Sequence, residues 1–156
     1  MATDKIVQTK RVYDLICSYL DEARCRYEKN DGEFKVSFTA VGDDLNMPIR
    51  ISLNPEVQVI ELTSALSYRV NKERLGTVAL AVMRVNNSMI NGWFTFDDIR
   101  GEIEFRMANC FCESVVGRDL IRYMIALSCD MIDKYNDKFL CLSKGIITLE
   151  QFFNND

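Results

Sequence analysis

The side chains in this sequence whose type and spacing could do chemistry are one cysteine pair and three carboxylate pairs. Cys110 and Cys112 stand two apart, so in an extended segment they project to the same side and could supply half of a tetrahedral thiolate metal site. The other half is missing, because Cys17, Cys25, Cys129 and Cys141 are isolated, and a structural role for all six thiols is the preferred reading. The carboxylate pairs are Asp43 with Asp44, Asp97 with Asp98, and Glu102 with Glu104. General acid–base chemistry needs one member of a pair desolvated, and these positions fall in turns or on an outward strand face, which predicts solvated roles. The chain has no histidine, which removes the commonest general base, the usual catalytic triads and most transition-metal sites. Phosphate loops and dinucleotide fingerprints are absent as well. The sequence therefore assigns no catalytic, cofactor-binding or metal-binding residue, and an enzyme is the last of the readings considered.

The elements that must position these groups are organised around Leu75 to Asn109. Leu75, Val78, Val82, Val85 and Met89 recur three and four apart, which places them on one face of a helix. Leu80, Ala81 and Met83 add apolar surface away from that stripe, and this calls for a second cover besides the sheet. Asn71 is the expected N-cap, while Asn86, Asn87 and Gly92 end the helix. The period then changes to two. Phe94, Phe96, Ile103, Phe105 and Met107 face the core of a hairpin whose turn is Asp97, Asp98 and Gly101, with Trp93, Thr95 and the charged residues facing out.

Before this unit, residues 4–23 carry Val12, Leu15, Ile16, Tyr19, Leu20 and Ala23 at helical spacing. A strand from Arg24 to Lys29, with Cys25 and Tyr27 on one side, meets its partner of Phe34, Val36, Phe38 and Ala40 across an Asn30, Asp31, Gly32 turn. Pro48 belongs at the start or edge of the next strand, whose core face is Ile49, Ile51 and Leu53. After Asn54, Pro55 and Glu56, the β-branched run Val57 to Thr63 predicts a fourth strand, and Ser64 to Val70 a connector back to the central helix. Beyond Asn109, Leu120, Met124, Leu127, Met131, Tyr135, Phe139 and Leu142 mark a long closing helix that Gly145 stops. Thr148 and Gln151 have capping-box spacing for a last short helix carrying Phe152 and Phe153. The expected fold is α+β, an antiparallel sheet of five or six strands in the order α-β-β-β-β-α-β-β-α plus the short C-terminal helix, with helices mainly on one face.

With 156 residues, 48% hydrophobic and 27% charged, the composition suits one domain over residues 1–156, of which 138–156 form the end of the closing helix and a tail. A net charge of −4 without any long basic run argues against a nucleic-acid partner. No uninterrupted apolar segment marks a secretory signal, and no stretch approaches membrane-spanning length. Six cysteines without a secretory signal are read as reduced thiols, which places the protein in the cytoplasm and away from membranes.

Leu80, Met83 and Trp93 are the candidate interaction residues. Local packing, including cover by Phe152 and Phe153, and an interface are both open for them. The sharper expectation is a homodimer through the central helix.

The run Asn86, Gly92, Phe94, Asp97, Gly101, Glu102 and Arg106, set between an apolar helix and a long amphipathic one, resembles the YbjN-type domain over residues 6–137. Members are called bacterial sensory transduction regulators, and their fold is similar to that of type III secretion chaperones. The resemblance implies a cytosolic bacterial protein that binds another polypeptide, as a dimer, and it carries over no catalytic residue. Two departures stand out. Asn86 and Asn87 both fit the motif asparagine, and Trp93 occupies an outward position where smaller or polar residues are expected. Three function classes follow: a chaperone-like or adaptor module that captures a partner segment on a sheet edge or groove, a signalling regulator that senses a small ligand, and an enzyme. An exposed groove favours the first, an enclosed pocket with converging polar groups the others.

Overall fold

Alternating and helical periodicities separate into a sheet and its helical cover in the computed structural model, which describes residues 2–43 and 45–154. Asp44 lies outside the described residues. The elements are α1 (Ala2–Glu22), β1 (Tyr27–Asn30), β2 (Lys35–Val41), β3 (Asn46–Asn54), β4 (Val59–Arg69), α2 (Leu75–Ser88), β5 (Trp93–Asp97), β6 (Glu102–Cys110), α3 (Arg118–Ser143) and α4 (Leu149–Asn154). A 3-10 turn at Lys72–Arg74 leads into α2. Every strand pair is antiparallel, and the spatial order is β1-β2-β3-β4-β6-β5. This is the α+β arrangement expected, with six strands.

Register places the core. Val36, Ile51, Leu62 and Met107 oppose one another across β2, β3, β4 and β6, and none is more than 1% exposed. Against this face pack Val12, Ile16 and Leu20 of α1, Val78, Val82 and Val85 of α2, and Ile121, Met124 and Phe139 of α3. Each such side chain contributes about 1.5–3 kcal/mol when fully buried. Alternate strand positions, among them Ser37, Arg50, Thr63 and Arg106, are exposed or half-buried. One face of the sheet is therefore left without helical cover.

Local signals hold up well. Asp97 Oδ1 accepts the Ile99 and Arg100 amides at 3.0 and 2.9 Å, and Gly101 takes φ +70°. Gly145 closes α3 at φ +71° with the Ile146 amide on the Cys141 carbonyl at 2.9 Å. The capping box forms in both directions, Thr148 N–H to Gln151 Oε1 at 2.9 Å and Gln151 N–H to Thr148 Oγ1 at 3.1 Å.

Several expectations are corrected. The Ser64 to Val70 connector is strand: β4 runs to Arg69, with Ser64 opposite Phe105 and Ala65 opposite Glu104 before the register shifts. Pairing with β6 supplies what the weak β propensity of Ser and Ala does not. Asn71 does not cap with its side chain; its carbonyl accepts the Arg74 amide at 2.8 Å, and α2 starts after that turn. Ala81 is fully buried and belongs to the core. Phe34 sits in the β1–β2 turn at φ +50°, so β2 begins at Lys35, while β1 begins only at Tyr27. Ala23 follows α1 and is exposed. Along α3 the buried residues are Ile121, Met124, Ser128, Ile132, Asn136, Phe139, Leu142 and Ser143. Met124, Phe139 and Leu142 of the expected stripe are among them, while Leu120, Leu127, Met131 and Tyr135 are half-buried against the core. Pro48, by contrast, stands as expected near the start of β3, its third residue, where β4 does not yet pair and no ladder bond to β4 is lost.

Candidate protein-binding surface

A second row of side chains crosses the uncovered face. Glu28 pairs with Ser37, Ser37 with Arg50, Arg50 with Thr63, Thr63 with Arg106 and Arg106 with Trp93, so one line spans all six strands. On this face a groove of about 860 Å³ opens toward β1, lined by Arg24, Arg26, Glu28, Thr39, Arg50 and Thr63 among others. It is an open furrow with mixed polar and apolar walls, rather than an enclosed pocket. Arg24 lies in the connection after α1 at φ +54°, Arg26 leads into β1 and Arg50 stands in β3.

The charges on this face divide into two groups. Arg106 is held by Glu104 at 2.8 Å and Glu61 at 3.3 Å, and the Glu104 hydrogen bond stabilises its charged form. Arg69 pairs with Glu102 at 2.8 Å. Arg24, Arg26 and Arg50 have no ion pair or side-chain hydrogen bond among the described residues. Three guanidiniums and two carboxylates, Glu28 and the Glu104 that Arg106 already holds, therefore line the groove in a chain whose net charge is −4. Each guanidinium can engage a carboxylate with two parallel hydrogen bonds.

The predicted interaction residues do not share one surface. Leu80 and Met83 lie on α2, in the helical layer, 47% and 53% exposed. Trp93 is 38% exposed and opposite in direction to Phe94, whose ring packs 5.2 Å from Phe139 beneath the helices, so it belongs to the open face. Sequence reasoning missed the three arginines. An outward strand position predicts exposure for Arg50, but convergence with Arg24 and Arg26 depends on long-range register.

The reactive groups singled out by spacing are scattered. Glu102 and Glu104 are ion-paired, Asp97 binds turn amides, and Asp43 N–H donates to Asp133 Oδ2 at 3.3 Å. Cys110 and Cys112 are exposed, whereas the other four cysteines are half-buried. Among the described residues no group of three or more Cys, Asp or Glu could hold a metal ion. No helix among them is long and apolar enough to cross a membrane.

Comparison with known proteins bears on the motif. Residues 13–140 match the YbjN family, described as "Putative bacterial sensory transduction regulator". The chain belongs to the YbjN family. No curated protein sequence matches it. In fold it is similar to the ExsC–ExsE complex structure, with 14% identity and a TM-score of 0.62 over 83% of this chain and 93% of that one. It is also similar to YbjN from E. coli, described as "a putative transcription regulator", with 12% identity and a TM-score of 0.55 over 77% and 84% of the two chains. The chaperone-like fold expected from the YbjN resemblance is thus shown.

Within the YbjN motif the structure distinguishes the two asparagines. Asn86 bonds to both main-chain groups of Phe94, and Asn87 is exposed. Gly92 is required at φ +76°, where a Cβ would lie 2.5 Å from Phe105 Cζ. Asn86, Gly92, Asp97 and Gly101 of the motif shape this hairpin.

Proposed function

We propose that this YbjN-family protein is a non-enzymatic binding module, chaperone-like or adaptor in character, that holds an extended acidic segment of a partner polypeptide on the open face of its sheet. The observation that carries this reading is the groove with Arg24, Arg26 and Arg50 around it, none of them paired among the described residues. An open furrow suits a polymer segment better than a small ligand, which would be enclosed on most of its surface. The fold likeness to ExsC, solved in complex with ExsE, supports a protein partner. A cytoplasmic, bacterial setting belongs to the same proposal.

The test is fluorescence anisotropy with a labelled twelve-residue peptide rich in Asp and Glu, against a Lys-rich peptide and a short DNA duplex. Saturable binding of the acidic peptide alone is expected, weakening with salt because exposed charges are screened. Replacing Arg24, Arg26 and Arg50 together by Ser should lower affinity at least tenfold. Equal binding by the variant, or preference for DNA or the basic peptide, would overturn the reading.

The exposure of Leu80 and Met83 supports self-association through α2 as a second contact. Light scattering at increasing concentration should give a dimer mass that Leu80→Asp, Met83→Asp reduces to the monomer. A monomer at high concentration in the unaltered protein sinks it.

A further inference from the structure

Cys110 ends β6 and Cys112 follows one residue later, with the fully buried Phe111 between them. Phe111 is pinned on both sides, its amide donating to the Gln58 carbonyl at 2.8 Å and its carbonyl accepting from Gln8 Nε2 at 2.8 Å. The Phe111 ring is fully buried, whereas both neighbouring cysteines are exposed. The Cys110 sulfur accepts the Cys112 backbone amide at 3.4 Å, which folds that side chain toward Cys112. The Cys112 thiol also reaches the Val57 carbonyl at 3.7 Å.

Hydrogen bonding makes the pair unequal. The backbone amide and then the thiol of Cys112 hold Cys110 below the ordinary thiol value, while the bond to Cys110 pushes Cys112 up. Cys110 is the sulfur that more readily becomes a thiolate, and thiolate is the nucleophilic form.

We infer that Cys110 and Cys112 form a redox-active dithiol, Cys110 attacking and Cys112 resolving, which low-molecular-weight disulfides oxidise to an intramolecular disulfide. The Cys110 thiolate bonds to one sulfur of the disulfide reagent, whose own S–S bond breaks and releases a thiolate that takes up a proton. Cys112 then loses its proton, attacks the Cys110 sulfur of the mixed disulfide and displaces the second thiolate. Two protein thiols are oxidised and one small disulfide is reduced to two thiols. Closing the bond draws Cys112 off the Val57 carbonyl, at a corner where Gln8 of α1 bonds the Phe111 and Ser114 carbonyls. Oxidation thereby acts on the junction of α1, the β3–β4 turn and the β6–α3 loop.

The experiment is oxidation of the folded full chain with oxidised glutathione, quenching with N-ethylmaleimide, and mass spectrometry. The expected product carries four alkylated cysteines of the six, with the Met107–Arg118 tryptic peptide two hydrogens lighter, reversibly on reduction. Cys112→Ser should stop at a glutathione adduct on Cys110, and Cys110→Ser should react at least tenfold more slowly, both remaining folded by circular dichroism. Six alkylated cysteines, a persistent adduct in the unaltered protein, a disulfide involving any other cysteine, or equal rates in the two variants would overturn the assignment.

Discussion

The side-chain amide of Asn86, in the last turn of α2, donates to the Phe94 carbonyl at 2.8 Å and accepts the Phe94 amide at 2.8 Å. β5 is an edge strand, so this carboxamide takes the place that a neighbouring strand would have there. Asn86→Ala removes two hydrogen bonds of about 1 kcal/mol each, offset by roughly 0.5 kcal/mol of better helix propensity. The expected net loss is about 1.5 kcal/mol, with Tm lower by roughly 3–6 °C. Asn87→Ala keeps only the propensity gain, and urea denaturation of the two variants should separate them.

Two glycines give opposite expectations. At Gly92 an alanine meets the Phe105 ring and must hold a left-handed backbone, which alone costs about 1–2 kcal/mol. Gly76 lies in α2, and a Cβ there would have open space within 4 Å, so Gly76→Ala should stabilise by about 1 kcal/mol. Thermal melts of the pair check both signs.

Tyr68 ties β4 to α3 by donating its hydroxyl to the Asn136 carbonyl at 2.9 Å. Burial first, then the Asp137 and Cys141 charges, raise its pKa above the ordinary value of 10.0. A group raised in the folded state contributes fully below its unfolded pKa and loses that contribution as pH rises through the folded value. The urea midpoint should therefore fall above pH 10. Tyr68→Phe should cost about 1 kcal/mol at pH 8 and flatten this alkaline loss. An unchanged alkaline slope would remove Tyr68 as its source.

α4 follows the family match and docks through Phe152, which is 1% exposed and packs 5.2 Å from the Phe139 ring. Phe152→Ala should cost roughly 3–5 kcal/mol if α4 unfolds with the rest of the protein. Thr148→Ala loses one side of the capping box, about 1 kcal/mol. Hydrogen exchange should show amide protection in residues 149–154 falling in both, and more in the first.

Much of the fold was legible because its causes are local. The Asp97 turn, the Gly145 stop and the Thr148 capping box depend on residues within a few positions of one another, and alternation set which face of each strand is apolar. The sequence by itself thus determined the element order and the one-sided sheet. Tertiary structure alone decided what depends on pairing between distant segments: the extension of β4 along β6, the choice of Asn86 over Asn87, and the placing of Trp93 and Leu80 in different layers. The meeting of Arg24, Arg26 and Arg50 around one groove belongs there too. A residue's period tells which way it points from its own strand or helix, whereas its neighbours across the sheet are chosen by register, a property of two segments at once.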